Sequence, residues 1–161
     1  MKDFKAIIFD MDGLLVDSEI VWYDAEDELI QSRGHVYTAE LRDSIVGLRV
    51  DAFMDKLRIH YNLPETLQEL VDELNNRMLE LIPQRVKPRP GAQAMIDYVV
   101  ANRIPCAIAS NSSLAIINKT VESMGWGHVF TVRCTADDEP EGKPAPYVYW
   151  TAARRLGVEA H

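Results

Sequence analysis

Lys5-Ala6-Ile7-Ile8-Phe9-Asp10-Met11-Asp12-Gly13-Leu14-Leu15-Val16-Asp17 is the stretch from which the rest of the chain takes its meaning. Residues 5–9 have the length and composition of a strand buried on both faces. Side chains alternate along a strand, so Asp10 and Asp12 face the same way where this one ends. Gly13 then lets the chain turn sharply. The plainer reading makes Asp10 and Asp12 turn-formers and Asp17 a helix cap. It fits less well, because acids packed against so apolar a strand are costly without a partner. Open α/β sheets bind ligands at the carboxyl ends of their parallel strands, which makes the acidic pair a candidate site.

On its C-terminal side, the pattern from residue 18 to 86 is helical throughout. Ser18 is placed to cap a helix over Glu19 to Ser32, ended by Gly34. Short helical stretches follow at Glu40 to Val46 and Asp51 to His60. Pro64 opens the clearest helix, with Leu67, Leu70, Val71, Leu74, Met78, Leu81 and Ile82 at helical spacing. Lys87-Pro88-Arg89-Pro90-Gly91 breaks the pattern and marks a boundary. Beyond it, strands at Ile104 to Ala109 and Val129 to Cys134 alternate with helices at Ala92 to Asn102, Leu114 to Met124 and Pro146 to Leu156. Such alternation means a parallel sheet with crossover helices. The fold class is therefore α/β: a Rossmann-like core from residues 1–17 and 87–161, interrupted by an all-helical cap over 18–86.

The strand ends carry chemistry suited to phosphoryl transfer. Asp10 is a candidate carboxylate nucleophile, and Asp12 a general acid and base. Ser110, with the backbone N–H groups of Asn111 and Ser112, precedes a helix N-terminus, a ready anion site. Lys143 is placed to neutralise a phosphoryl group. Phosphate packed against Asp10 calls for a hard cation, Mg²⁺.

Asp10-x-Asp12-Gly13-x-x-x-Asp17-Ser18-Glu19 resembles the first motif of the haloacid dehalogenase superfamily. Ser110 in Ile-Ala-Ser-Asn and Lys143 in Gly-Lys-Pro-Ala-Pro match its second and third. The helical insert is similar to the cap of the β-phosphoglucomutase-like and sugar-phosphatase branch. The resemblance implies a phosphatase acting on a small phosphorylated metabolite, a sugar phosphate, through an aspartyl-phosphate on Asp10. It implies Mg²⁺ held by the Asp10 side chain and the Asp12 carbonyl, Ser110, Asn111 and Lys143 on the phosphoryl group, and Arg49 of the cap on the substrate. The family's fourth motif, an acidic pair on a further strand, has no counterpart before His161, and Glu159 follows no strand. An incomplete core is expected, with weakened Mg²⁺ binding and activity and with strand 5–9 open to self-association.

Other readings compete. A phosphosugar mutase shares the nucleophile but returns the phosphoryl group to a second hydroxyl. A receiver-like signalling module needs its acceptor acid after a middle strand, where this chain has Ser110. A degenerate, non-catalytic fragment follows from the missing motif. The net charge of −8 without a basic run argues against nucleic acid. No leader or membrane-length apolar run is evident, so the cytoplasm is the expected location. Cys106 and Cys134 read as buried free thiols, Glu19 as an acid favouring its helix dipole, and Tyr147 as packing. His35, His60 and His128 fit no ligand spacing, and Trp22, Trp126 and Trp150 read as core or interface residues.

Overall fold

The computed structural model describes residues 4–159. Three parallel strands run in the order β1 (Ile7–Phe9), β2 (Cys106–Ser110) and β3 (Val132–Thr135). Phe9 pairs with Ile108, and Ser110 with Thr135, so the ends of β1 and β2 fall near one edge of the sheet. The central strand β2 is buried at every position. Its alternation divides the interior: Ile108 joins the main hydrophobic core, while Ala107 and Ala109 pack with Cys134, Val148 and Ala152 in a smaller cluster.

Between β1 and β2 in sequence lie α1 (Glu19–Gln31), α2 (Ala39–Asp43), α3 (Val50–Tyr61), α4 (Leu67–Arg85) and α5 (Ala92–Ala101). Next come α6 (Leu114–Ser123), between β2 and β3, and α7 (Tyr147–Arg155). The chain is thus a mixed α/β fold with helices around a parallel sheet, as the alternation predicts. The apolar stripe of α4 is buried at Leu70, Leu74, Met78 and Ile82. That helix packs against α1, α3 and α6, and one continuous core runs from the sheet into the inserted helices.

The two crossings between sheet and insert are stitched together. Asp17 N donates to Lys87 O at 2.8 Å, Arg89 N donates to Leu15 O at 2.9 Å, and Arg89 pairs with Asp17 at 3.1 Å.

Several boundaries differ from the sequence reading for local reasons. The α4 helix opens on Thr66 rather than Pro64, because Thr66 and Glu69 form a reciprocal capping box. Residues 129–131 stay outside β3, since Val129 and Phe130 donate their N–H groups to Trp126 O. Ser18 stands at the N-cap of α1, but its hydroxyl makes no capping bond; it is used elsewhere. Among the described residues β1 pairs with β2 alone. Of the tail weighed above, Ala160 and His161 lie outside the described residues.

Candidate active site

The end of β1 sets the site. Asp10 Oδ1 accepts from Met11 N at 2.7 Å and from Lys143 Nζ at 2.5 Å. Lys143 also donates to Ala109 O at 3.3 Å, and its ammonium lies 5.7 Å from the centre of the Tyr149 ring. The backbone N–H of Lys143 donates to Asn111 Oδ1 at 2.8 Å, so the residue after Ser110 holds the lysine loop in place. Gly142 makes that approach possible: a Cβ there would lie 3.0 Å from Asn111 Oδ1 and 3.3 Å from Arg49 Cβ.

Asp12 is more thoroughly engaged. Its Oδ1 accepts from Ser18 Oγ at 2.7 Å and Trp22 Nε1 at 3.2 Å, and its Oδ2 from Ser110 Oγ at 3.1 Å and Ser112 Oγ at 2.8 Å. Two donors come from the start of α1 and two from the end of β2. The two serine donors are further ordered from behind: Ser112 N donates to Ser110 Oγ at 3.0 Å, and Thr135 Oγ1 to Ser112 O at 2.8 Å. Gly13 makes the turn with φ +71°, and Glu19 packs directly over it.

These groups line one wall of a cavity of about 480 Å³, within the range of small-molecule sites. The other wall comes from the inserted helices: Glu19, Trp22, Tyr23, Glu26, Arg42 and Phe53. Glu26 is only 8% exposed, and its Oε2 accepts from Tyr37 Oη at 2.7 Å. Burial, opposed by the Tyr37 bond and by Arg42, pushes its carboxyl up to about 7. Burial and the neighbouring Glu26 push the Tyr37 phenol up as well, which keeps it the donor of the pair.

Asp10, Asp12, Ser110, Asn111 and Lys143, singled out from sequence, thus meet around one cavity. Arg49 does not line it. Its guanidinium grips Asp51 at 2.7 Å through both Nε and Nη2 and donates through Nη1 to Ala136 O and Glu139 O at 3.1 and 3.3 Å. That pairing also holds the Asp51 carboxyl below its ordinary range. Arg49 therefore ties the insert to the loop after β3 in this arrangement. Trp22, packed against the core, and Ser18, at the N-cap of α1, are also donors to Asp12, and Glu19 faces the cavity. Nothing in their spacing marks Glu26 or Arg42, which become visible only once α1 and α2 are packed. Cys106 and Cys134 are buried free thiols, and Trp150 is half-exposed.

The profile of the haloacid dehalogenase-like hydrolases matches residues 7–161. The chain belongs to that family. Hexitol phosphatase B of Escherichia coli is 33% identical over 162 residues, covering 98% of this chain and 72% of that protein. A phosphorylated carbohydrates phosphatase of Thermotoga maritima is 25% identical over 154 residues, covering 96% of this chain and 71% of its own length. The chain is thus shorter than the relatives it matches. The structure of CbbY from Rhodobacter sphaeroides in complex with phosphate superposes with a TM-score of 0.87 at 23% identity, over 97% of this chain and 74% of that one. Membership in the haloacid dehalogenase-like hydrolases classes the chain as an enzyme of the phosphomonoesterase type. No helix among the described residues is long and apolar enough to cross a membrane.

The family's usual cation, Mg²⁺, can be tested against the donors present. Asp10 Oδ2 and the Asp12 carbonyl oxygen accept no hydrogen bond among the described residues, while the neighbouring carboxylate oxygens do. No group of three His, Cys, Asp or Glu residues suited to a metal occurs among the described residues. Mg²⁺ commonly takes only one or two carboxylates, with water and substrate phosphate completing its shell. The hard oxygen donors at the end of β1 fit that habit.

Proposed function

We propose that the chain is a Mg²⁺-dependent phosphatase that hydrolyses a small phosphorylated metabolite, a sugar phosphate, through an aspartyl-phosphate on Asp10. The observation that carries the reading is the pairing of Lys143 with Asp10 beside the Asp12–Ser110–Ser112 cluster. A cation, a nucleophile and an acid–base group, drawn from three separated stretches of sequence, share one cavity wall.

Asp10 attacks phosphorus, and the bond from phosphorus to the leaving oxygen breaks. Asp12 supplies the proton that the leaving oxygen needs, which requires its carboxylate to give up at least one of its four donors. Water then attacks the phosphorus of the aspartyl-phosphate, Asp12 takes the proton, and the acyl-phosphate bond breaks to free Asp10 and phosphate. Lys143, Ser110 and the N–H groups of Asn111 and Ser112 hold the phosphoryl oxygens throughout. The Asp10 side chain and the Asp12 carbonyl would hold Mg²⁺, which when bound would supply neutralisation of phosphate charge. Division into a core, 1–17 and 87–161, and a cap, 18–86, accounts for a cavity with one wall from each.

Release of inorganic phosphate from a panel of sugar phosphates with excess magnesium tests the reading. Asp10→Asn should abolish release, since the nucleophile has no stand-in, and beryllium fluoride should attach to Asp10 in a crystal. Full turnover by Asp10→Asn, or attachment elsewhere, would overturn the assignment. Phosphoryl transfer to a second hydroxyl without phosphate release would mark a mutase.

A further inference from the structure

The helical wall of the cavity contains two polar groups that the phosphoryl chemistry does not use, Glu26 and Arg42. Both are fixed by the same aromatic pair. Tyr37 donates to Glu26 Oε2, Tyr23 stacks on Tyr37 with ring centres 5.8 Å apart, and the Arg42 guanidinium lies 4.7 Å from the Tyr23 ring centre. What is left over faces the cavity. Glu26 Oε1 has no donor among the described residues, and the Arg42 guanidinium makes no hydrogen bond or ion pair among them. By contrast Lys143, the cation of the other wall, is already paired with Asp10. A buried acceptor and an unpaired fork of donors, side by side and held rigid, form a recognition site for groups that both give and accept hydrogen bonds.

The charges indicate which groups. Glu26 and Asp43 line the cavity beside Arg42, whereas Glu19 lies over Gly13 at the strand end, and Arg42 is the one cation the helical wall supplies among the described residues. A second phosphate or a carboxylate would meet more negative charge than positive. Hydroxyls meet no such penalty, and the Trp22 and Phe53 rings, 6.5 Å apart and edge to face, offer apolar surface to the C–H faces of a polyol. Burial brings Glu26 close to switching between acceptor and donor near neutrality, which suits hydroxyl partners.

We infer that Glu26 and Arg42 are specificity-determining residues that bind the hydroxyls of the leaving group, selecting neutral polyhydroxylated monophosphates over bisphosphates and aryl phosphates. The inference rests on the phosphatase reading for the placement of the phosphoryl group against Asp10.

Its test is binding rather than turnover. The full chain carrying Asp10→Asn, in magnesium-containing buffer, is titrated calorimetrically with inorganic phosphate, phenyl phosphate, sorbitol 6-phosphate and fructose 1,6-bisphosphate. Sorbitol 6-phosphate should bind at least about 10-fold more tightly than the other three. Adding Arg42→Ala or Glu26→Gln should remove about 10- to 100-fold of its affinity, the usual range for a hydrogen bond to a charged group, and leave inorganic phosphate unchanged. Glu26→Gln keeps an acceptor for Tyr37, and Arg42→Lys keeps the charge, so loss of the fold is separable from loss of recognition by melting temperature. Equal affinity for sorbitol 6-phosphate and inorganic phosphate, tighter binding of the bisphosphate, or unchanged binding in well-folded variants would each overturn the inference. Failure of the unsubstituted chain to release phosphate while these preferences persist would overturn the phosphatase reading alone.

Discussion

The two walls of the cavity achieve order by different means. On the sheet side, functional groups hold one another: Lys143 on Asp10, Ser110 and Ser112 on Asp12, Asn111 on the Lys143 backbone. Each sits just past a strand or in a loop tied to one, so the sheet's register fixes its position. On the helical side, the polar groups are held by aromatic rings, Tyr37 under Glu26 and Tyr23 under Arg42, and project from helix faces. The first wall tolerates little change, because each of its groups is a partner of another. The second has, in Glu26 and Arg42, groups whose cavity-facing atoms are unspent, and these two can be exchanged without removing a partner from the first. A division of labour follows, with chemistry on the strand ends and selection on the helices.

The largest way to break the comparison is to remove chemistry without touching selection. Asp12→Asn should lower the rate of phosphate release by about 10²–10⁴-fold, the usual worth of general acid–base assistance. Sorbitol 6-phosphate affinity should stay within a few-fold. Steady-state kinetics set beside calorimetry checks both.

A second test addresses the helical wall through pH. In the unfolded chain the Glu26 carboxyl titrates at its ordinary 4.5, and in the folded chain at about 7. Between those values the folded state holds the extra proton, so stability from this group is full below about 4.5 and is lost as pH rises to 7. The shift corresponds to a loss on the order of 3 kcal/mol. Glu26→Gln should therefore raise the melting temperature at pH 8 and leave it nearly unchanged at pH 4.5. Equal gains at both values would show that packing, not ionisation, is responsible.

Smaller effects sharpen the picture on the sheet side. Ser112→Ala removes one of four donors to a charged group and should cost about 1.5–3 kcal/mol in urea unfolding. Gly13→Ala should cost about 1–2 kcal/mol for the left-handed backbone alone. It should also push Glu19 aside, since the new Cβ would lie 2.7 Å from Glu19 Oε1.

The difference between the walls also governs what could be read in advance. Asp10, Asp12, Ser110 and Lys143 are polar residues where apolar strands stop or in the loops beyond, and the parallel topology gathers those places on one edge. That logic needs only local sequence and a sheet. Ser18 and Trp22 were legible as residues but not as donors, because an N-cap position and an aromatic on a helix have commoner uses. Glu26 looks like an ordinary polar residue of a weakly amphipathic helix; its burial depends on Tyr37, eleven positions away and outside any helix. Arg49, expected on the substrate, is drawn off by Asp51 two residues later and by two carbonyls more than eighty residues away. Contacts of that range leave no periodic trace.

The loop around Gly47 to Arg49 touches the sheet side at three places: Asn111 Nδ2 donates to Gly47 O at 2.8 Å, and Arg49 Nη1 donates to Ala136 O and Glu139 O. Parting the walls at this loop must break all three. Bonds of this kind contribute about 1–3 kcal/mol each at most, so a parted state would be a minority of molecules at any instant. A ligand admitted only by that minority would bind with its apparent affinity reduced by the parted fraction. Arrival and departure, rather than bond cleavage, would then govern throughput. Shortening Arg49 to Ala would quicken traffic in both directions.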